Sequence, residues 1–144
     1  MANFPLKVSI IIPTFNEESC LGHTLEHIQQ LSPYEVIISD GGSNDKTFQI
    51  AKNFTKKLVT GPIGRAAQMN AGARIATGDI FLFLHADSRI DPNSYEKMLF
   101  SMTHSEKIGG AFSLHIDSEK RNLRLIAWLA NIRSKYLGMT YGDQ

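Results

Sequence analysis

Asp-Ile-Phe-Leu-Phe-Leu-His-Ala-Asp-Ser, residues 79–88, is the stretch that decides the fold. Its apolar run, residues 80–84, lies between turn-forming residues, and this pattern is typical of a fully buried strand. His85 and Asp87 follow the run, and strand alternation places their side chains on the same side. In an open parallel sheet, ligands bind at the carboxyl ends of the strands. The alternative is that Asp87 and Ser88 only form a turn.

Outward from this stretch, the chain alternates between predicted strands and predicted helices. The other strands are expected at residues 7–13, 34–40, 56–60 and 107–117. The helices are expected at residues 17–31, from a cap within 43–45 to 54, and at 65–76, 92–103 and 119–137. The β-branched run of the first strand places that strand in the sheet centre. This order predicts an α/β fold with a parallel-rich central sheet, right-handed crossovers and flanking helices.

Composition limits the classes of function. The chain has 144 residues, enough for one domain with a sizeable core, and its net charge of +1 argues against nucleic-acid binding. Cys20 is the single cysteine, which excludes an internal disulfide and favours a reducing, cytoplasmic location. The sequence has no secretory signal near its start and no apolar run long enough to span a bilayer.

The last predicted helix, residues 119–137, combines an apolar stripe with several basic side chains. Packing of the stripe against the sheet is the simpler interpretation. A second interpretation is peripheral contact of the basic face with an anionic membrane, on its inner side. A third is that a second subunit covers the helix in a homo-oligomer.

Three strand ends bring polar residues to one edge of the predicted sheet. The first strand ends at residues 14–17, the second at Asp40 and the fourth at Asp87. Carboxylates there can accept hydrogen bonds from a nucleobase or ribose, or hold a hard cation that bridges phosphates. Arg65, at a helix start after Gly-Pro-Ile-Gly, can neutralise a phosphate or clamp the base edge. The plain alternatives are Asp40 as a turn former, Arg65 as a surface charge and Asn16 as a helix cap.

Four motifs carry a resemblance to a known family. They are Ile-Ile-Pro-Thr-Phe-Asn-Glu (11–17), Asp-Gly-Gly-Ser-Asn-Asp-Lys-Thr (40–47), Gly-Arg-Ala-Ala-Gln-Met-Asn-Ala-Gly-Ala (64–73) and Thr-Gly-Asp-Ile-Phe-Leu-Phe-Leu-His-Ala-Asp (77–87). In this order they resemble the family 2 inverting glycosyltransferases of the GT-A fold. The resemblance covers nearly the whole chain. It implies a nucleotide-diphospho-sugar donor, expected to be a UDP-sugar, with Mn²⁺ or Mg²⁺ as cofactor.

The resemblance also implies roles for individual residues. In the family, the position of Asp40 binds the base, that of Glu17 lies near base and ribose, and that of Arg65 contacts the nucleotide. The implied donor-binding set is Pro13, Thr14, Asn16, Glu17, Asp40, Ser43, Arg65 and His85. Asp87 falls on the second acid of the family's Asp-x-Asp motif and is the expected metal ligand.

The chain departs from the family pattern at two places. His85 replaces the first Asp of Asp-x-Asp, and imidazole suits manganese better than magnesium. The family's catalytic base is an Asp, commonly in a Glu-Asp pair, and no such pair follows Asp87. Asp143 is the remaining candidate for the catalytic residue, although its motif resembles one that precedes the base in related sequences. The chain resembles the first two-thirds of a transferase and is expected to bind donor but transfer sugar poorly.

These observations predict a single GT-A-like domain over residues 1–144, with a nucleotide-binding part at 7–90 and the start of an acceptor-side part at 91–144. The expected reaction is inverting sugar transfer to a hydroxyl of a saccharide or lipid acceptor. Two rivals remain. One is a sugar-phosphate nucleotidyltransferase, which the acidic loop at residues 13–17 disfavours. The other is a nucleotide-binding or assembly module without a base.

His23 and His27 form a second candidate metal site. They lie four positions apart on a predicted helix, a spacing that is able to bind a metal. No third ligand is evident nearby in the sequence, so histidines at the surface or its boundary are the favoured interpretation.

Overall fold

Four strands and four helices alternate along the described part of the chain up to His104. The structure, a computed structural model, describes residues 6–105, 108–113, 115, 128 and 131–132. The strands are β1 (Val8–Thr14), β2 (Glu35–Asp40), β3 (Lys57–Thr60) and β4 (Ile80–Phe83). The helices are α1 (Leu21–Gln30), α2 (Thr47–Phe54), α3 (Arg65–Ile75) and α4 (Pro92–His104). The chain divides into two compact units, Met1–Leu99 and Phe100–Gln144.

The four strands form one parallel sheet in the order β3-β2-β1-β4. The prediction that the first strand lies in the sheet centre is confirmed, because β1 pairs with β2 on one side and β4 on the other. The strand order reverses at β1. In open α/β sheets, the crevice outside the carboxyl ends at such a reversal is where ligands bind.

β1 is buried on both faces, and its alternating residues serve two different packing layers. Ile10 and Ile12 join a core cluster that includes Leu25 of α1. Ile11 faces the other way, towards α3, where a Cβ added to Gly72 would lie 2.5 Å from the Ile11 Cγ2 atom. Helices therefore cover both faces of the sheet centre. Each fully buried aliphatic side chain contributes about 1.5–3 kcal/mol relative to an exposed one.

β4 is not fully buried, which corrects the prediction for residues 80–84. Leu82 is buried, but Phe81 and Phe83 are 44% and 43% exposed. The physical reason is position, because β4 is the edge strand of the described sheet and α3 packs mainly on the other three strands. The two phenylalanines lie on the sheet face that they share with Ile11.

The predicted fifth strand is wrong over the residues that can be compared. Residues 108–113 and 115 form no strand and are exposed. Gly109 and Gly110 offer no side chain to pack, which weakens a strand at this point. The rest of 107–117 lies outside the described residues. Within the predicted helix at 119–137, residues 128, 131 and 132 are helical, and the others lie outside the described residues. In the described ranges, no helix has the length and apolar character needed to cross a membrane.

A polar network joins the amino ends of the strands. The Glu35 carboxylate accepts hydrogen bonds from Ser9 Oγ (2.6 Å), Thr77 N (2.7 Å) and Lys57 Nζ. Burial by itself raises the pKa of Glu35, but these hydrogen bonds outweigh burial and lower the pKa to about 2. Gly78 N donates to Ser9 Oγ at 2.9 Å. These hydrogen bonds hold the connection between α3 and β4 against the amino ends of β1 and β2.

Candidate functional site

The carboxyl ends of β1 and β2 form the centre of the candidate site. The register pairs Thr14 directly with Asp40, and both residues are buried. Thr14 Oγ1 donates a hydrogen bond of 3.0 Å to Asp40 Oδ1. Gly41 N donates to Thr14 O at 2.9 Å, so the pairing of the two strands continues beyond their ends.

Asp40 organises the turn that follows β2. Its Oδ2 accepts the backbone N–H groups of Gly42 (2.9 Å) and Ser43 (2.8 Å). Its Oδ1 accepts the hydroxyl of Ser43 at 2.6 Å in addition to that of Thr14. These four donors occupy the acceptor positions of a carboxylate. Asp40 is therefore a turn former, and a base N–H would bind it by replacing one of the two hydroxyl donors.

Residues 14–18 and 40–47, which we call the rim, are joined by hydrogen bonds across the site. Asn16 N donates to Ser43 Oγ at 2.9 Å, and Asn44 N donates to Asn16 Oδ1 at 2.9 Å. Glu17 N donates to Thr47 Oγ1 at 2.7 Å. Asn16 has a φ of 56°, a left-handed conformation that asparagine tolerates. The rim is thus built without help from a ligand, and Asn16 serves it rather than capping α1.

The start of α3 lies at the same edge as the rim, because β3 runs parallel to β2 and β1. α3 begins at Arg65, directly after the loop at residues 61–64. Gly64, the last residue of that loop, has a φ of 130°, which favours glycine. Arg65 is half-buried. A guanidinium at this position is suited to an anionic ligand held against the rim.

No role was predicted for Gln68, yet its side chain joins α3 to the rim. Gln68 is 4% exposed, and its Nε2 donates to Thr14 O at 2.5 Å and to Ser39 O at 3.2 Å. The available signal is its spacing, because a residue three positions after Arg65 lies on the same helix face. A polar residue on that face needs a partner when the helix packs on a sheet.

A turn after β4 carries His85 and Asp87. Ser88 N donates to His85 O at 3.1 Å, so this segment forms a turn, as predicted. Thr24 Oγ1 of α1 donates to Ala86 O at 2.6 Å, and Ala86 is buried. His85 is half-buried and Asp87 is exposed. The turn is therefore attached to α1 while its acidic side chain faces solvent.

The two histidines of α1 have other roles than metal binding. His27 Nε2 lies 2.8 Å from Ile90 O, in the segment that follows the β4 turn. His23 lies beside Glu26 on the solvent side of the helix, with 3.5 Å between His23 Nδ1 and Glu26 Oε2. This agrees with the interpretation that they are surface and boundary residues.

Cys20 lies just before α1 and contacts Glu17 of the rim. Its thiol donates to Glu17 Oε2 at 3.2 Å. Burial, this hydrogen bond, and the charges of Glu17 and Asp87 raise the pKa of Cys20 to about 11. The thiol is therefore protonated at neutral pH. The register pairs Ile11 with Phe83, so the β4 turn follows beside the end of β1.

The β4 turn offers part of a metal-binding set. The hydrogen bond that the structure gives the Asp87 carboxylate comes from Ser88 Oγ at 3.4 Å, which leaves lone pairs for a cation. His85 adds an imidazole two positions earlier. Among the described residues, no group of three or more His, Cys, Asp or Glu could hold a metal. A cation at Asp87 would need further oxygen ligands from a bound molecule.

The structure brings most of the predicted site residues to one edge of the sheet. Pro13 is buried in β1 beneath the rim, and the rim contains Thr14, Asn16, Glu17, Asp40 and Ser43. Arg65 starts α3 at this edge, and His85 and Asp87 follow β4. Asp143, the candidate catalytic residue, lies outside the described residues.

Comparison with known proteins identifies relatives of the chain. The family model described as "Glycosyl transferase family 2" matches residues 9–143. A protein of Haemophilus influenzae named "Uncharacterized glycosyltransferase" is 32% identical over 159 residues. This match covers 99% of the present chain, which spans 60% of the length of that relative.

Solved structures share the fold. TarS from S. aureus matches with a TM-score of 0.56 and 25% identity, over 65% of this chain and 31% of the TarS chain. Glucosyl-3-phosphoglycerate synthase from Mycobacterium tuberculosis matches with a TM-score of 0.60 and 20% identity, over 70% of this chain and 41% of the synthase. That crystal structure is a complex with Mn²⁺, UDP and glucosyl-3-phosphoglycerate. The likeness confirms the predicted GT-A-like α/β fold.

Proposed function

This chain belongs to glycosyl transferase family 2, and on that basis we propose that it transfers a sugar from a UDP-sugar to a hydroxyl acceptor with inversion. The observation that carries the proposal is the register of the sheet, which places Thr14 beside Asp40 at the carboxyl edge. The start of α3 at Arg65 and the turn with Asp87 lie at the same edge. Together they provide groups for a base, a diphosphate and a cation.

The rim binds the base and ribose of the donor. Asp40 accepts a base N–H after one of its hydroxyl partners turns away, since hydroxyl rotors can reorient. Glu17 supplies a carboxylate to the ribose side. The choice of UDP as the nucleotide is supported by the crystal structure of the M. tuberculosis synthase, which holds UDP.

The diphosphate lies between Arg65 and the β4 turn. Arg65 neutralises phosphate charge, and Asp87 with His85 would hold Mn²⁺ or Mg²⁺ once diphosphate oxygens complete the ligand set. When bound, the cation supplies charge neutralisation for the diphosphate leaving group. The imidazole favours Mn²⁺ over Mg²⁺. Nucleotide and metal are therefore expected to bind cooperatively.

Transfer itself needs a base that takes the proton of the acceptor hydroxyl. Such help supplies about 10²–10⁴ in rate. The carboxylates of Glu17, Asp40 and Asp87 are assigned to donor and metal, so Asp143 remains the candidate base. Residues 7–90 then carry the donor site and 91–144 begin the acceptor side, which takes a saccharide or lipid. A cytoplasmic location, with or without peripheral membrane contact, fits a nucleotide-sugar donor.

Calorimetric titration with UDP, CDP, GDP and ADP, each with and without Mn²⁺, tests the donor site. We expect UDP to bind most tightly and Mn²⁺ to strengthen its binding. Asp87→Asn should remove most of the Mn²⁺ effect while leaving metal-free UDP binding unchanged. Glu96→Gln is the matched control, because Glu96 is an exposed acid on α4 with no assigned role in the donor site.

Two results would contradict the proposal. Absence of binding by every nucleoside diphosphate, with Mn²⁺ present, would remove the nucleotide-sugar site. An Mn²⁺ effect that persists in Asp87→Asn would place the cation elsewhere.

Release of UDP from a UDP-sugar in the presence of saccharide and lipid acceptors then measures transfer, and Asp143→Asn tests the candidate base.

A further inference from the structure

The Gln68 side chain connects α3 to the ends of two strands. Its Nε2 reaches the carbonyl oxygens of Thr14 and Ser39, which belong to the ends of two different strands. Both partners are acceptors, so the amide must present its NH₂ group to them. The side chain therefore joins β1, β2 and α3 at one buried point.

The backbone of Gln68 extends this connection to the start of the helix. Gln68 N donates to Gly64 O at 2.9 Å, which closes the first turn of α3 around Arg65. Gly41 of the rim packs against the same amide, since a Cβ added there would lie 3.0 Å from Gln68 Nε2. A movement of this amide would shift both the rim and the first turn of α3.

We propose that Gln68 is a positioning residue that sets the place of Arg65 relative to the rim. The inference rests on the proposed function, in which Arg65 binds the donor diphosphate while the rim binds the base. Both groups would contact one nucleotide of limited length, so their separation affects affinity. As a positioning residue, Gln68 needs no contact with the nucleotide or the metal. It acts through the carbonyls of Thr14 and Ser39 and through the helix turn that carries Arg65.

A double-mutant cycle read by UDP binding with Mn²⁺ tests this role. Gln68→Met keeps the length of the side chain and removes its donor. In the wild-type background, we expect Gln68→Met to weaken UDP binding by about tenfold. In the Arg65→Ala background the same change should cost less than about twofold, because the group it positions is gone. Equal losses in both backgrounds, or no loss in either, would overturn the proposal.

Gln68→Glu provides a second readout. A glutamate at this buried point faces two carbonyl oxygens, so only its protonated form can donate as the amide does. UDP affinity of this variant should approach that of the wild type at pH 5 and fall by about tenfold at pH 8. Wild-type affinity over the same range is the reference, and circular dichroism shows whether the variant stays folded.

The outcomes separate the two proposals. If the wild-type chain binds no UDP, the proposed function fails. If the wild type binds UDP but the affinity of folded Gln68→Glu is independent of pH, the positioning role fails alone. If both Gln68 variants are unfolded at every pH, Gln68 serves the fold and the positioning role is again wrong.

Discussion

The two oxygens of Asp40 each receive two hydrogen bonds, so this residue is constrained more tightly than an ordinary surface acid. The donors are two backbone N–H groups on Oδ2 and two hydroxyls on Oδ1. An asparagine amide has one oxygen and one NH₂ group. With its oxygen on the two backbone N–H groups, the amide would donate to the two hydroxyls, which must then reorient and lose Asp40 as their acceptor. Asparagine is therefore a poor replacement at this position despite its similar shape.

We predict that Asp40→Asn lowers the free energy of unfolding by about 1–3 kcal/mol and weakens UDP binding. Urea unfolding and calorimetry measure the two effects. Asp91→Asn is the matched control, because Ser94 N and Ser94 Oγ both donate to the same oxygen of Asp91, Oδ2. The amide can keep those bonds. Equal tolerance of both substitutions would show that the four bonds of Asp40 do not constrain the turn.

Glu35 makes stability depend on pH. Its pKa is lowered from 4.5 to about 2, so its contribution to stability is fully present above pH 4.5 and is lost as the pH falls towards 2. We expect Glu35→Gln to cost about 1–3 kcal/mol at pH 7, a figure kept modest because the Lys57 side chain is 40% exposed. Urea unfolding at several pH values should show the difference from wild type shrinking below pH 4.5. Glu96→Gln, at an exposed site on α4, is the control, and a constant difference for Glu35→Gln would contradict the assignment.

At the level of elements, α3 lies unusually close to the sheet, and Gly72 allows this. A Cβ at Gly72 would lie 2.5 Å from Ile11 Cγ2, and Ile11 is fully buried and has no room to move. α1 offers a contrast, since the nearest atom to a Cβ at Gly22 is Ile50 Cγ2 at 3.8 Å, an ordinary contact. The two helical glycines thus have opposite reasons to be present.

We predict that Gly72→Ala destabilises the protein by about 1–3 kcal/mol through overpacking. Gly22→Ala should instead stabilise it by about 0.5–1 kcal/mol, because alanine has the higher helix propensity. Thermal and urea unfolding of the two variants measure both changes in stability. Stabilisation by both substitutions would show that α3 can move away from β1 without cost.

The predictions for β1 and β4 show how far a local sequence pattern determines the burial of a strand. The β-branched run of β1 predicts a central strand because it needs apolar partners on both faces, and the structure agrees. The same logic fails for β4, where Phe81 and Phe83 are partly exposed. Burial of a strand depends on its place in the strand order, and that order follows from long-range packing that no local pattern encodes.

The residues of the candidate site also differ in how clearly the sequence marks them. Strand ends and turn residues mark Thr14, Asp40 and Asp87, because side-chain chemistry at a strand end is visible in the sequence. Gln68 is not marked, since its role depends on the packing of α3 against two strand ends. Polar residues at strand ends can therefore be picked out from the sequence, whereas a residue that holds two strand ends and a helix together cannot.

For the whole molecule, nucleotide binding should be visible as stabilisation. The rim joins the ends of β1 and β2, so an unfolded chain has no site, and ligand binding favours the folded state. At a free UDP concentration of 100 Kd with Mn²⁺ present, we expect about 2.7 kcal/mol of stabilisation. This corresponds to a rise in Tm of about 5–15 °C for a protein of this size. Adenosine is the control, and an unchanged Tm with saturating UDP would contradict binding to the folded state.

The hydrogen bonds that build the site also have a consequence for folding kinetics. Thr14 and Asp40 are 26 positions apart in the chain, Gln68 and Thr14 are 54 apart, and Thr24 and Ala86 are 62 apart. Contacts between distant positions form slowly, because each requires closure of a long loop before it gains any energy. Isolated helices as short as these are marginal in water, so they too depend on packing against the sheet. The candidate site is therefore expected to form only after the parallel crossovers have closed.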